Sequence, residues 1–328
     1  MAAERMKSER IKKAGYTYLN VAAIVACLAV IALILAAVFF RTPGEDAPSE
    51  PLDQLSAAPS DETSVGSDAS DAESESPSGP FAVLTEQTVP NAQVASGDLI
   101  LVSNAYHYMH PDPASLASIF ENKSGSYKCR DTSGLAEAHA IEAFNEMMDD
   151  FYAATGSGSV TVLHGYLAPE EVYRADDKMH TAQAGGSDFH TGLSFLLTVY
   201  PSSDGSIGEG GYVWLSDNAY RYGFILRYPE DKLDVTGIDP SDGHYRYVGR
   251  AAAAYMYENN LCLEEFLDLV EQATPEEPLL WDCEDGSFAA YFQRASDGIE
   301  TIIRVPATLE YSVSGNNRDG FVIIASNG

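Results

Sequence analysis

Residues 19–40 (LNVAAIVACLAVIALILAAVFF) carry no charged side chain over a length that, as a helix, reaches about 33 Å and spans a bilayer. Arg5, Lys7, Arg10, Lys12 and Lys13 precede the stretch, and a single Arg41 follows it before acidic residues begin. The positive-inside bias therefore places the N-terminus in the cytoplasm and everything beyond the stretch outside. A cleaved signal peptide has a shorter apolar core, ~7–15 residues, and ends in a small-x-small cleavage site that is not written here. The segment reads as a retained signal anchor, with residues 1–18 as a basic cytoplasmic tail.

Residues 41–96 change to Pro, Ser, Ala, Gly, Asp and Glu, including the run SDETSVGSDASDAESESPSGP, and offer few side chains to a core. They are expected to form a disordered, self-repelling tether. The tether contributes to a formal net charge of −30, which repels nucleic acid and so excludes it as a partner. Cys27 lies in the apolar stretch. Cys129, Cys262 and Cys283 lie beyond it, an odd number with no C-x-x-C spacing, so neither a disulfide scaffold nor a zinc ribbon is indicated and at least one thiol stays free.

Past the tether, residues 97–274 show mixed signals. The apolar run 99–102 (LILV) reads as a buried strand. Ile141, Phe144, Met148 and Phe151 recur at helical spacing within a helix expected over 135–152, which ends before Gly156. Strands are expected at 160–163, 192–200, 224–228 and 245–248, and helices at 213–222 and 250–270, the latter interrupted near Asn259 and Asn260. Helices and strands that do not alternate regularly indicate an α+β domain, with a small central antiparallel sheet flanked by helices. Residues 275–328 carry only strand and turn signals and are expected to form a small β extension packed on that domain.

Two segments combine polar groups with turn glycines: GGSDFHTGLSFL (185–196) and DPSDGHYRYVG (239–249). Together with WLSDNAYRYGFILRYPEDK (214–232), LEEFL (263–267) and SGNNRDGFVI (314–323), they make the chain resemble the VanY-type D-alanyl-D-alanine carboxypeptidases. These are LAS-type zinc peptidases that trim D-alanine from bacterial cell-wall peptides. The resemblance implies a LAS/VanY-like fold, a bacterial cell membrane as the one that the apolar stretch 19–40 would cross in a single pass, and peptidoglycan stem peptide or an envelope protein as partner.

The same alignment implies that the chemistry is altered. The family motif S-x-H-x-x-G-x-A-x-D puts Ser187 at the serine, but Phe189 at the zinc histidine and Leu196 at the zinc aspartate. The later E-x-W-H puts His244 at the third ligand, Ser241 at the general base and Gly243 at the tryptophan. The arginine that grips the substrate carboxylate in S-G-Y-R-S is Leu167 here, within His164-Gly-Tyr-Leu-Ala168. Phenylalanine and leucine offer no lone pair to a metal, and a serine cannot take a proton from metal-bound water at neutral pH. No cofactor is therefore expected, and the domain reads as a catalytically inactive binding module, with Ser187, Thr191 and Tyr166 as candidate substrate contacts. The alternative is an active zinc carboxypeptidase with displaced ligands Asp188 and His190 beside His244. In an extended segment His190 would face away from Leu196 and His244. His107 and His110 read as surface-loop residues, His139 as an ordinary helix position and His180 as solvated.

Overall fold

Ile141, Phe144, Met147, Met148 and Phe151 line the buried face of helix α1 (Ala138–Thr155), which stops at Gly156 in the left-handed conformation. Burying each such side chain contributes roughly 1.5–3 kcal/mol. The computed structural model of the protein describes residues 83–108, 115–169 and 181–326, all within one unit spanning residues 72–328. The basic tail, the expected anchor and most of the tether lie outside the described residues; among the described residues no helix is long and apolar enough to cross a membrane.

In chain order the strands are β1 (Leu84–Pro90), β2 (Leu116–Ser118), β3 (Lys128–Cys129), β4 (Leu135–Glu137), β5 (Val160–His164), β6 (Ser194–Val199), β7 (Phe224–Tyr228), β8 (Ser241–Tyr247), β9 (Leu279–Cys283), β10 (Gly286–Arg294), β11 (Glu300–Pro306), β12 (Glu310–Gly315) and β13 (Gly320–Ser326). The remaining helices used below are α2 (Val213–Asn218), α3 (Arg250–Glu258) and α4 (Leu263–Val270). The main sheet has the order β3-β5-β6-β8-β7. It is antiparallel except at one edge, where the two-residue β3 runs parallel to β5, so the expectation of a purely antiparallel sheet is corrected there. Phe144 of α1 stacks on Phe195 of β6 with ring centroids 4.5 Å apart, joining helix and sheet in the first core.

A second core joins α3 and α4 to β9, β10 and β13 through Trp281, Ala290, Val322 and Ile324, so residues 275–328 share their interior with the main domain. Asn259 and Asn260, the latter with φ 51°, separate α3 from α4. At the start of α4 the Cys262 sulfur accepts the Glu265 N–H and the Glu265 carboxylate accepts the Cys262 N–H, closing a capping box. The helix expected over 213–222 is α-helical only to Asn218 and continues as a 3-10 turn to Tyr222.

Two expectations are corrected. Residues 99–102 are buried but form no strand: Leu99 N–H donates to Ser314 Oγ at 2.9 Å and Leu101 N–H to the Asn316 carbonyl at 3.2 Å. A buried backbone needs partners, and here scattered groups of the C-terminal segment supply them in place of a ladder. The tether, in turn, ends earlier than residue 96. Strand β1 lies within it and pairs along its whole length with β11, burying only Val89. Its remaining positions are exposed or half-buried, which is why the segment reads as polar linker. The described cysteines Cys129, Cys262 and Cys283 are free thiols.

Candidate functional site

Ser187 starts a 3-10 turn over Asp188–Thr191 by accepting the Phe189 N–H on its hydroxyl, and Gly192, at φ 71°, ends it. A residue with a Cβ is disfavoured there both by that φ and by Leu116 at 2.9 Å. The turn delivers the chain into β6, where Leu196 pairs with His164 of β5 on one side and His244 of β8 on the other. The Phe189 ring lies over this row, stacked on the His244 imidazole with centroids 4.3 Å apart and planes 17° from parallel. Tyr228 meets the same imidazole edge-on at 4.8 Å. These groups belong to a cavity of about 740 Å³ whose lining includes His164, Leu167, Phe189, Leu196, Ser241 and His244. Ser187 and Tyr166 also face it.

Beneath the turn lies a fully buried cluster of charges. Asp188 Oδ1 accepts from Arg246 Nη1 at 2.6 Å and from Arg227 Nε at 3.4 Å, while Oδ2 accepts from the Ser194 hydroxyl. Arg227 forms a two-pronged pair with Glu264 of α4 at 2.9 and 2.7 Å. Arg246 also donates to the carbonyls of Asp98 and Ile100 at 2.9 and 3.1 Å. Burial alone would push the Asp188 carboxyl up, but the two guanidinium charges hold it below the usual carboxylate range. The cluster thereby ties the turn, three strands, α4 and the 98–100 segment together.

A catalytic zinc does not fit this set of residues. His244 Nε2 is buried without a hydrogen-bond partner among the described residues, a position suited to a ligand, yet the side chains beside it, the stacked Phe189 and the paired Leu196, offer no lone pair. Three lone-pair donors with an open position are needed, and among the described residues no group of three His, Cys, Asp or Glu could hold a metal. Asp188 Oδ2 comes within 3.8 Å of His244 Nε2, but the aspartate oxygens are already bonded to Arg246, Arg227 and Ser194. His190 is buried and its Nδ1 lies 2.7 Å from the Leu167 carbonyl. The segment is a turn rather than extended chain, so the alternation argument for His190 is replaced by that contact.

Of the candidate substrate contacts, Thr191 uses its buried hydroxyl to donate to the Asp188 carbonyl at 2.7 Å and to accept the Leu193 N–H, and it is not among the described residues that line the cavity. At position 243, a Cβ would meet the Leu197 carbonyl oxygen at 2.3 Å, so β8 approaches β6 too closely for any side chain. His139 pairs with Asp98 at 2.9 Å, and His110 and His180 lie outside the described residues. Sequence reasoning missed Arg130, Tyr228 and the charges at Arg227, Arg246 and Glu264. Arg130 sits in a turn with no motif around it, and nothing in the strand patterns marks the two arginines as buried.

Burial pushes the His244 imidazole down to about 3, in spite of the nearby Asp188 carboxylate. The unfolded chain takes up that proton near pH 6.5 and the folded chain does not until much lower pH, so this stability is fully present above about 6.5 and is lost on acidification. The expected loss attributable to His244 is about 1.4 kcal/mol at pH 5.5. Urea unfolding at pH 7.5 and 5.5, compared with His244→Gln, isolates it; equal losses in the two proteins would contradict it.

Comparison with known proteins places this site in context. Residues 138–250 match the family model described as VanY, D-alanyl-D-alanine carboxypeptidase. A D-alanyl-D-alanine carboxypeptidase of Enterococcus faecium is 31% identical over 246 residues, covering 73% of this chain and 78% of that protein. One from Enterococcus faecalis is 43% identical over 106 residues, 32% of this chain and 37% of that protein. Among solved structures, the D,D-dipeptidase VanXYg in complex with a D-Ala-D-Ala phosphinate analogue superposes with a TM-score of 0.64 at 22% identity, covering 75% of this chain and all of that one, a likeness of fold.

Proposed function

Because the chain belongs to the VanY family of D-alanyl-D-alanine carboxypeptidases, and Phe189 and Leu196 line its cleft beside His244, we propose that it is a member without zinc-dependent hydrolysis that binds peptidoglycan stem peptide. The observation that carries this reading is that Phe189 and Leu196 stand directly beside His244, where a metal would need further lone pairs. Neither side chain offers one, while the cleft beside them stays open to a guest. The uncharged stretch 19–40, with its basic residues on one side, supports anchoring in a bacterial cell membrane, N-terminus inside and this domain outside. An envelope protein is the partner on this reading if the peptide does not bind.

The test is incubation of the full chain with a peptide ending in D-Ala-D-Ala, with and without added zinc, read by released D-alanine and by titration calorimetry. Saturable heat with no D-alanine above the protein-free rate is expected. Zinc-dependent release would overturn the proposal and return attention to Asp188, His190 and His244.

A further inference from the structure

The cavity wall differs in character from its rim. Leu163, Leu167, Phe189, Leu196, Tyr228 and Ile238 all face the same space, so much of the cleft lining is apolar. Its volume, about 740 Å³, exceeds what a terminal alanyl residue fills, and a methyl group placed there would leave most of that wall in contact with water. Recognition by such a surface scales with the apolar area it covers, so the best occupant carries a larger hydrocarbon group.

Arg130 is the sole lysine or arginine among the described residues that line the cavity. Its backbone is fixed by a bond from its N–H to the Val162 carbonyl of β5 at 2.9 Å. Asp131, itself held by the backbone N–H and hydroxyl of Ser133, engages only the guanidinium Nε at 3.1 Å. The two terminal nitrogens have no protein partner among the described residues and form the planar fork that carboxylates accept. Leu167, by contrast, offers an anion nothing. Asp131 and Asp239 are the acidic side chains of that lining, so among the described residues an anionic ligand group depends on Arg130.

Resting on the reading of the cleft as a peptide-binding site, we infer that it selects a peptide C-terminus whose last residue bears a bulky aliphatic or aromatic side chain. That side chain fills the wall formed by Leu167, Phe189 and Leu196, and the terminal carboxylate is held by Arg130.

Calorimetric titration of the full chain with acetyl-Lys-D-Ala-D-Ala, acetyl-Lys-D-Ala-D-Leu and the C-terminal amide of the latter tests this. The D-Leu peptide is expected to bind at least about tenfold more tightly than the D-Ala peptide, the discrimination a few methylenes give in an apolar pocket. Amidation and Arg130→Ala, at an exposed side chain, are each expected to weaken it by about tenfold. Leu196→Asn should erase the preference for D-Leu. Equal or tighter binding of the D-Ala peptide overturns the ligand class and leaves peptide binding standing. An Arg130→Ala protein that binds as well as the parent overturns the carboxylate contact. No saturable heat with any peptide removes the binding reading, and this inference with it.

Discussion

Replacing Arg246 with methionine is expected to cost about 3–5 kcal/mol of folding stability, the usual effect of removing one partner from a buried ion pair. The guanidinium is fully buried and bonds Asp188 at 2.6 Å and the Asp98 and Ile100 carbonyls at 2.9 and 3.1 Å. Methionine fills part of the volume but takes the Arg246 donors from two buried carbonyls and from the Asp188 carboxylate, which keeps only Arg227 and Ser194. Against a total of about 5–15 kcal/mol for an ordinary domain, this is a large fraction. Denaturant unfolding of the parent and Arg246→Met checks it, and a loss under about 1 kcal/mol would show that water reaches the cluster. Asp188→Asn, which leaves a hydrogen-bonding group in place but deprives Arg246 of its carboxylate while Arg227 keeps Glu264, is expected to cost less.

The second large effect is a gain. Phe189→His combined with Leu196→Asp places two lone-pair donors beside His244, in a row whose register already sets positions 196 and 244 opposite each other. Zinc affinity is expected to rise by at least about a hundredfold, because even an outer-sphere partner of a metal ligand is worth about 10–100-fold. The measurement is competition for zinc against a chromophoric chelator, with His244→Ala in the double variant as the control that should abolish the gain. An unchanged affinity would mean that the three positions do not converge on one point. D-alanine release is not expected to follow, since Ser241 cannot serve as the base.

Local signals in the sequence were sufficient where an element's own pattern decides its form. The spacing of Ile141, Phe144, Met148 and Phe151 marks α1, and residues 224–228 coincide with β7, both elements buried by their own apolar side chains. They fail where the partner is remote. Residues 99–102 are as apolar as a strand, yet their backbone bonds go to Ser314 and Asn316, far along the chain. Strand β1 carries almost no apolar pattern and exists because β11 pairs with it. Phe189, Leu196, Ser241 and Leu167, the positions to which the family motifs point, all line the cavity. Arg130 lies outside those motifs, and Asp188 reads as a candidate ligand because the sequence does not reveal that two arginines already hold it.

Position 243 limits how the site can change. With the Leu197 carbonyl 2.3 Å from where a Cβ would sit, no single substitution can place a side chain there. The strands must first move apart, and that shift disturbs the pairing of Leu196 with His244 on which any rebuilt metal site depends. A metal site could therefore be built through two changes of side chain, whereas position 243 is closed to stepwise enlargement. The close approach of β6 and β8 at Gly243 makes the cleft easier to remodel by exchanging the side chains that line it than by any change that needs those strands to separate.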